Sequence, residues 1–190
     1  MKKFILLTVV ALLSTSCGIQ SIPQANNEVE AKWAEVQNQY KRRSDLVPNL
    51  VETVKGYATQ EKETLTGVIE ARAKASQITV DPKNLDPAAL QKFQAAQGQL
   101  SQALGRLMVV AERYPNLKSN QNFLALQSQL EGTENRIAIA RRRYIDSVKQ
   151  FNNLVTVFPT NLTNNVFYSF EKKPQFQATP AESQNPKVSF

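Results

Sequence analysis

The sequence predicts an all-α fold, an antiparallel helical bundle of long helices with an extended C-terminal tail. Two observations carry this. Phe123, Leu130, Ile137, Tyr144, Phe151 and Phe158 recur at a strict seven-residue interval, and Phe93, Leu100, Leu107 and Tyr114 do the same one segment earlier. That is the period of helices packed on helices. The prolines agree, because Pro82, Pro87, Pro115 and Pro159 fall in or beside the expected connections.

Residues 1–16 read as a lipoprotein signal peptide. Lys2 and Lys3 form a basic head, residues 4–13 (FILLTVVALL) an apolar middle, and Ser14, Thr15 and Ser16 a small-residue cleavage region. A membrane-spanning helix needs about 20 apolar residues, so this run is too short to cross. The plain alternative is an ordinary signal peptide with Cys17 incidental. STSC looks like a lipobox, which makes Cys17 the lipidation site. Acyl chains there, palmitate among them, would hold the protein to a membrane, each buried CH₂ adding about 0.8 kcal/mol. Gly18 stands where Asp often marks inner-membrane retention, so the outer membrane is favoured in a diderm cell. Residues 17–25 read as a tether between lipid and domain.

Residues 26–158 form the predicted bundle. Val29, Trp33, Val36, Tyr40, Val47, Leu50, Val54 and Tyr57 draw an apolar stripe at helical spacing. Arg43 falls on that stripe, which marks it as a part-buried, paired arginine. Pro48 interrupts the stretch, so the first long helix is expected to be kinked or divided there. A division gives four helical segments and folds Trp33, Val36 and Tyr40 back onto the bundle. A straight helix instead leaves them on a projecting arm. Closure is favoured. Asp86 and Pro87 read as N-cap and first position of the next helix. The last helix starts near Ser119 and ends before Pro159. Residues 159–190 form an extended C-terminal segment. NLTNN is turn-like, and Val166, Phe167, Phe170 and Phe176 are candidates to dock on the bundle.

Composition narrows the chemistry. The chain has 190 residues, one cysteine, no histidine and a net charge of +7. Without histidine, the commonest general base and metal ligand are gone. One cysteine makes no internal disulfide and no zinc site. No Walker loop or GxGxxG occurs. No catalytic residue, metal or cofactor is expected, and the protein reads as no enzyme. Glu61 with Glu63, and Glu131 with Glu134, read as solvated helix charges.

Two basic clusters remain, Lys41-Arg42-Arg43 and Arg141-Arg142-Arg143. Consecutive helical residues point about 100° apart, so neither is a flat patch. Ion pairs on the helix surface are the plain reading, with Asp45, Glu134 and Asp146 in range. The functional reading is a binding surface of Arg42, Arg43, Arg141, Arg142 and Arg143 for anionic lipid head groups, an acidic polymer or an acidic partner. No nucleic-acid reader motif is present, and nucleic acid is not an expected partner. Trp33, Tyr40, Tyr57 and Tyr144 could suggest an aromatic cage, but at heptad spacing they read as core.

Two long runs resemble the LemA family. One is KRRSDLVPNLVETVKGYATQEKETLTGVIEAR, residues 41–72. The other is YPNLKSNQNFLALQSQLEGTENRIAIARRRYIDSVKQFNNLVTVFPTN, residues 114–161. FYSFEKKPQF and the closing PKVSF are also similar to family ends. The resemblance implies a mostly helical bundle held at a bacterial membrane with its domain outside the cytoplasm, and it supplies no catalytic residues. Many members use an uncleaved spanning helix, from which the short run before Cys17 departs. The expected role is a scaffold or adaptor for an unknown envelope protein partner. The alternative is a binding module for an anionic envelope polymer or lipid.

Overall fold

In a computed structural model the chain is helical, and no strand occurs among the described residues. The structure describes residues 2–83 and 85–176, with side chains from residue 19 onward. The side chain of Cys17, the expected lipidation site, and residues 177–190 of the expected C-terminal segment lie outside the described residues.

Six α-helices follow in order: α1 (Lys2–Lys55), α2 (Lys62–Gln77), α3 (Pro87–Glu112), α4 (Pro115–Lys118), α5 (Gln121–Thr156) and α6 (Thr160–Thr163). A π-helical turn, Asn164–Tyr168, continues α6, and residues 169–176 run extended. Helices α1 and α5 lie antiparallel along their length. Ion pairs Arg43–Glu134 and Glu35–Arg143, both 2.7 Å, fix their register. Helix α2 folds back beside the second half of α1, and α3 returns along both. Asp86 caps α3 by accepting from the Ala89 N–H at 2.9 Å, with Pro87 at the first helical position. Asn120 caps α5 in the same way, through the Phe123 N–H at 3.0 Å.

Only half of the molecule is therefore four helices thick. At the turn end Val47, Leu50 and Val54 of α1 pack with Val68, Leu100, Leu107, Phe123 and Leu130. At the terminal end α2 has run out, and only the first turns of α3 remain, through Leu90 and Phe93. There Ile22, Val29, Trp33 and Val36 meet Ile137, Tyr144 and Phe151, and the missing helices are replaced by Val80, Leu85 and Phe176 from connecting segments.

Of the kink or division expected at Pro48, the division does not occur. Helix α1 runs through it, and the chain breaks at residues 56–61 instead. Proline at 48 withholds the N–H that the Ser44 carbonyl would accept. That carbonyl is satisfied from outside the helix, by the Arg72 Nε–H at 2.8 Å. Pro48 itself faces solvent. Trp33, Val36 and Tyr40 are nevertheless buried, as closure required, because α5 and the 78–86 loop reach them.

The tether expected over residues 17–25 is corrected in the same way. The segment is helical, and Ile22 is buried seven residues before Val29 on the same stripe. Pro23 leaves the Ile19 carbonyl without a helical donor, and the Tyr168 hydroxyl donates to it at 2.6 Å. Each internal proline of α1 is thus answered by a side chain from a distant segment. The NLTNN turn is likewise helical, since α6 and the π-turn span it.

Candidate functional site

Between the two apolar clusters lies one polar layer. Arg43 sits on the buried face of α1, between Tyr40 and Val47, and is 1% exposed. Its Nη1 donates to the Ser101 hydroxyl and to Glu134 Oε1, both at 2.7 Å. Its Nη2 donates to the Gln97 carbonyl at 3.1 Å and to Gln97 Oε1 at 2.6 Å. The guanidinium lies 5.1 Å from the Tyr40 ring centroid. Gln97 Nε2 donates in turn to the Ala75 carbonyl of α2 at 3.4 Å. One arginine thereby ties α1, α3 and α5, and through Gln97 also α2.

This layer ties the helices together. A buried guanidinium stays charged, so its cost is offset only by acceptors aimed at it. Ser101 accepts from Arg43 and donates to the Gln97 carbonyl at 3.2 Å, so no base draws on its proton. Arg43 Nε is buried without a hydrogen-bond partner, so the guanidinium is incompletely satisfied.

The five arginines read from the sequence do not form one surface. Arg43 is inside. Arg143 pairs with Glu35, and the Arg141 guanidinium stands 4.8 Å from the Phe176 ring centroid. Arg42 and Arg142 are exposed. Two of the carboxylates in range pair with the first cluster, one along its own helix and one across to α5. Asp45 pairs with Lys41 at 3.9 Å, and Glu134 with Arg43.

The extended tail is held on the terminal half like a bound peptide. Asn152 brackets the Lys173 peptide group, donating to its carbonyl at 3.0 Å and accepting from its N–H at 2.9 Å. The Tyr144 hydroxyl donates to the Pro174 carbonyl at 2.9 Å. Asn164 brackets Phe170 with the same pair of bonds, both 3.0 Å. Phe176 then fills an aromatic box, 5.8 Å from Trp33 and 5.3 Å from Tyr144 between centroids. Trp33 is 0% exposed, and its Nε1–H donates to the Val80 carbonyl at 3.1 Å. The box is thus a filled core. Of the four candidate docking residues, Phe170 and Phe176 dock, whereas Val166 and Phe167 face outward. Burial pushes the Tyr144 hydroxyl well above the ordinary tyrosine pKa. It lowers Lys173, an effect that Glu30 partly opposes.

Gln97, Ser101, Arg72 and the two clamping asparagines were not singled out by sequence, and Glu134, read as a solvated helix charge, instead pairs with the buried Arg43. Gln97 alone carries a local signal, a polar side chain four residues after Phe93 on the same helix face. Among the described residues, no cluster of metal-ligating side chains occurs, and no helix is long and apolar enough to cross a membrane.

The chain is 28% identical to the LemA protein of Metamycoplasma hominis over 135 residues, 71% of this chain and 58% of that one. It is 25% identical to the magnetosome protein MamQ of Magnetospirillum gryphiswaldense over 171 residues, 81% of this chain and 62% of the relative. Over 86 residues it is 34% identical to magnetosome protein MamQ 2 of Paramagnetospirillum magneticum, covering 45% of this chain and 31% of that protein. The chain spans less than two thirds of the length of each of these relatives. The LemA family model matches residues 32–190, from the turn of α1 that carries Trp33 to the C-terminus, and the chain belongs to the LemA family.

Proposed function

We propose that this LemA family chain is a non-enzymatic envelope lipoprotein, held at a membrane by acyl chains on Cys17, whose helical body serves as a scaffold or adaptor for other envelope proteins. The observation that carries this reading is the continuity of α1. It is helical from Cys17 to Lys55 without a break, so an anchor at Cys17 is coupled directly to the packed body. The buried polar groups support the same reading, since Arg43, Gln97 and Ser101 spend their hydrogen bonds on one another. Gly18 after the cysteine favours the outer membrane in a diderm cell.

The alternative role, binding an anionic polymer or lipid head group, falls to Arg42 and Arg142. The other three arginines are committed to Glu134, Phe176 and Glu35.

Metabolic acyl labelling of the parent and Cys17→Ser, with membrane fractionation and cross-linking in the producing cells, tests the proposal. The parent should label, sediment with membranes and cross-link to a defined envelope protein in high salt. A Cys17→Ser chain that sediments equally well would refute lipid anchoring. Cross-links that vanish as the Debye length shrinks from about 10 Å at 0.1 M salt to about 3 Å at 1 M would favour the charged surface instead.

A further inference from the structure

The terminal end of the bundle carries large apolar side chains facing outward. Phe158 is 74% exposed, Leu162 55%, Val166 73% and Phe167 62%. Leu162 and Val166, four residues apart, lie along one side of the α6 and π-turn segment, and Phe158 stands in the turn just before it. The π-turn is pinned to the first described side chains of α1 by the bond from Tyr168 to the Ile19 carbonyl.

The register of α1 and α5 places this patch. Thirteen residues separate Arg143 from Thr156, about 20 Å of helix, and the same span back from Glu35 reaches Ile22. The patch therefore begins level with Ile22, on the side from which α1 continues to Cys17. Ile19 stands two residues, about 3 Å of helix, from the proposed acyl anchor at Cys17.

Charge is excluded from this end. Charged residues make up 21% of the chain, yet none occurs in residues 4–27 or in residues 150–170. These two stretches build its outermost part, and the nearest charges, Glu171 to Lys173, follow where the tail turns back along the body towards Asn152. Elsewhere the helix surfaces carry ion pairs, among them Lys32–Glu28 and Lys41–Asp45. Monomeric soluble surfaces rarely gather exposed aromatic and aliphatic side chains without a partner to cover them.

We propose that this charge-free end is a membrane-contact face, with Phe158, Leu162, Val166 and Phe167 seated in the interface of the bilayer that holds the N-terminus. The proposal deepens the anchored reading and rests on it. Apolar and aromatic side chains without charges suit the head-group boundary, and their binding scales with apolar area. The helical segment from Cys17 to Ile22 leaves no slack that would lift the body away.

The test uses the full chain, purified from membranes of producing cells and reconstituted in phosphatidylethanolamine–phosphatidylglycerol vesicles. Phe167→Trp and Val166→Trp place reporters on the face. Val109→Trp, 67% exposed on α3 at the turn end, is the control, and Trp33 gives a constant buried background. Exposure of all three positions protects the fold from the substitutions, and a thermal melt checks it. With brominated acyl chains, the added emission of Phe167→Trp and Val166→Trp should fall by more than half, and that of Val109→Trp should hold. Chains that sediment with vesicles while Phe167→Trp stays unquenched overturn the contact face and leave anchoring standing. Chains that do not sediment overturn both. Shielding of Phe167→Trp in native membranes, but not in protein-free vesicles, assigns the face to a protein partner and overturns the lipid reading.

Discussion

Arg72 Nε donates at 2.8 Å to the Ser44 carbonyl, the group that Pro48 leaves without a helical partner. The bond joins α2 to α1 across 28 residues of sequence. It explains how a helix of 54 residues passes through an internal proline at its thick end. The neighbouring Ser44 and Ser76 hydroxyls, 2.9 Å apart, close the same contact.

Removing that donor should cost stability, and removing the proline should relieve the cost. Arg72→Ala is expected to lose about 1–2 kcal/mol. In a Pro48→Ala background the restored N–H serves Ser44, so the same change should cost less than half as much. Urea unfolding of the four chains gives the coupling. Equal losses in both backgrounds would mean that Arg72 acts elsewhere.

Arg43→Ala should be the most damaging single change among the arginines. It strands Gln97 and Ser101 and opens a void between the two apolar clusters, at roughly 3 kcal/mol or more. Glu134→Gln should cost only about 1 kcal/mol, because its carboxylate reaches solvent and the amide oxygen still accepts. Arg42→Ala and Arg142→Ala, at exposed positions, should leave thermal unfolding within a degree or two. Calorimetry on the four variants ranks them, and comparable losses for Arg42 and Arg43 would contradict the buried layer.

The tail clamps make a spectroscopic prediction. Trp33 is the sole tryptophan and is fully buried, so the parent should emit at short wavelength and resist acrylamide. Asn152→Ala removes both bonds to Lys173, and Phe176→Ala removes one wall of the box around Trp33. Each should shift emission to the red and raise quenching. Phe176→Ala should also cost about 3 kcal/mol of stability. Unchanged quenching in both would mean that residues 169–176 do not cover Trp33 in solution.

Alkaline pH supplies a fourth prediction. Folding raises the Tyr144 pKa, so the unfolded chain releases this proton first. Its contribution is intact below the unfolded value, about 10, and is lost as pH rises above it. Lys173 has the opposite sign. Its lowered pKa favours the fold as pH rises towards its unfolded value of about 10.4. Net stability should therefore fall above about pH 10. In Tyr144→Phe the fall should be shallower, on a baseline about 1 kcal/mol lower for the lost bond to Pro174. Guanidinium melts between pH 8 and 11 measure both slopes, and parallel curves would remove Tyr144 as their source.

Helix identity was legible because one-dimensional periodicity reports burial. Phe123, Leu130, Ile137, Tyr144 and Phe151 all face the core, and Asp86 and Pro87 start α3 where capping chemistry put them. The ladder misled only at its last rung, since Phe158 lies beyond the end of α5 and faces outward. What failed was each feature decided at a distance. Pro48 looks like a break to any local rule, because its remedy is Arg72 on another helix. Residues 18–25 look like a tether, because Ile22 gains its burial from residues near 148–176. Arg43 was legible as a paired arginine on the apolar stripe. Its partners Gln97, Ser101 and Glu134 were not, since they come from two helices whose register no local pattern supplies.

The two ion pairs that align α1 with α5 join residues 91 and 108 positions apart. That separation has a consequence in time. The α2–α3 hairpin is local and closes early, and it can dress the second half of α1 as soon as residue 112 is available. Beyond Leu90 and Phe93 of α3, the first half has no helical neighbour until α5 arrives, and its aromatic box is complete only when Phe176 docks. Long-range closures of this kind are slow compared with helix formation. During synthesis Trp33 and its neighbours therefore wait, only partly covered by Val80 and Phe93, for more than a hundred residues. The half of the molecule nearest its N-terminus is the first to be made and the last to fold, and truncation anywhere before residue 176 should leave it open.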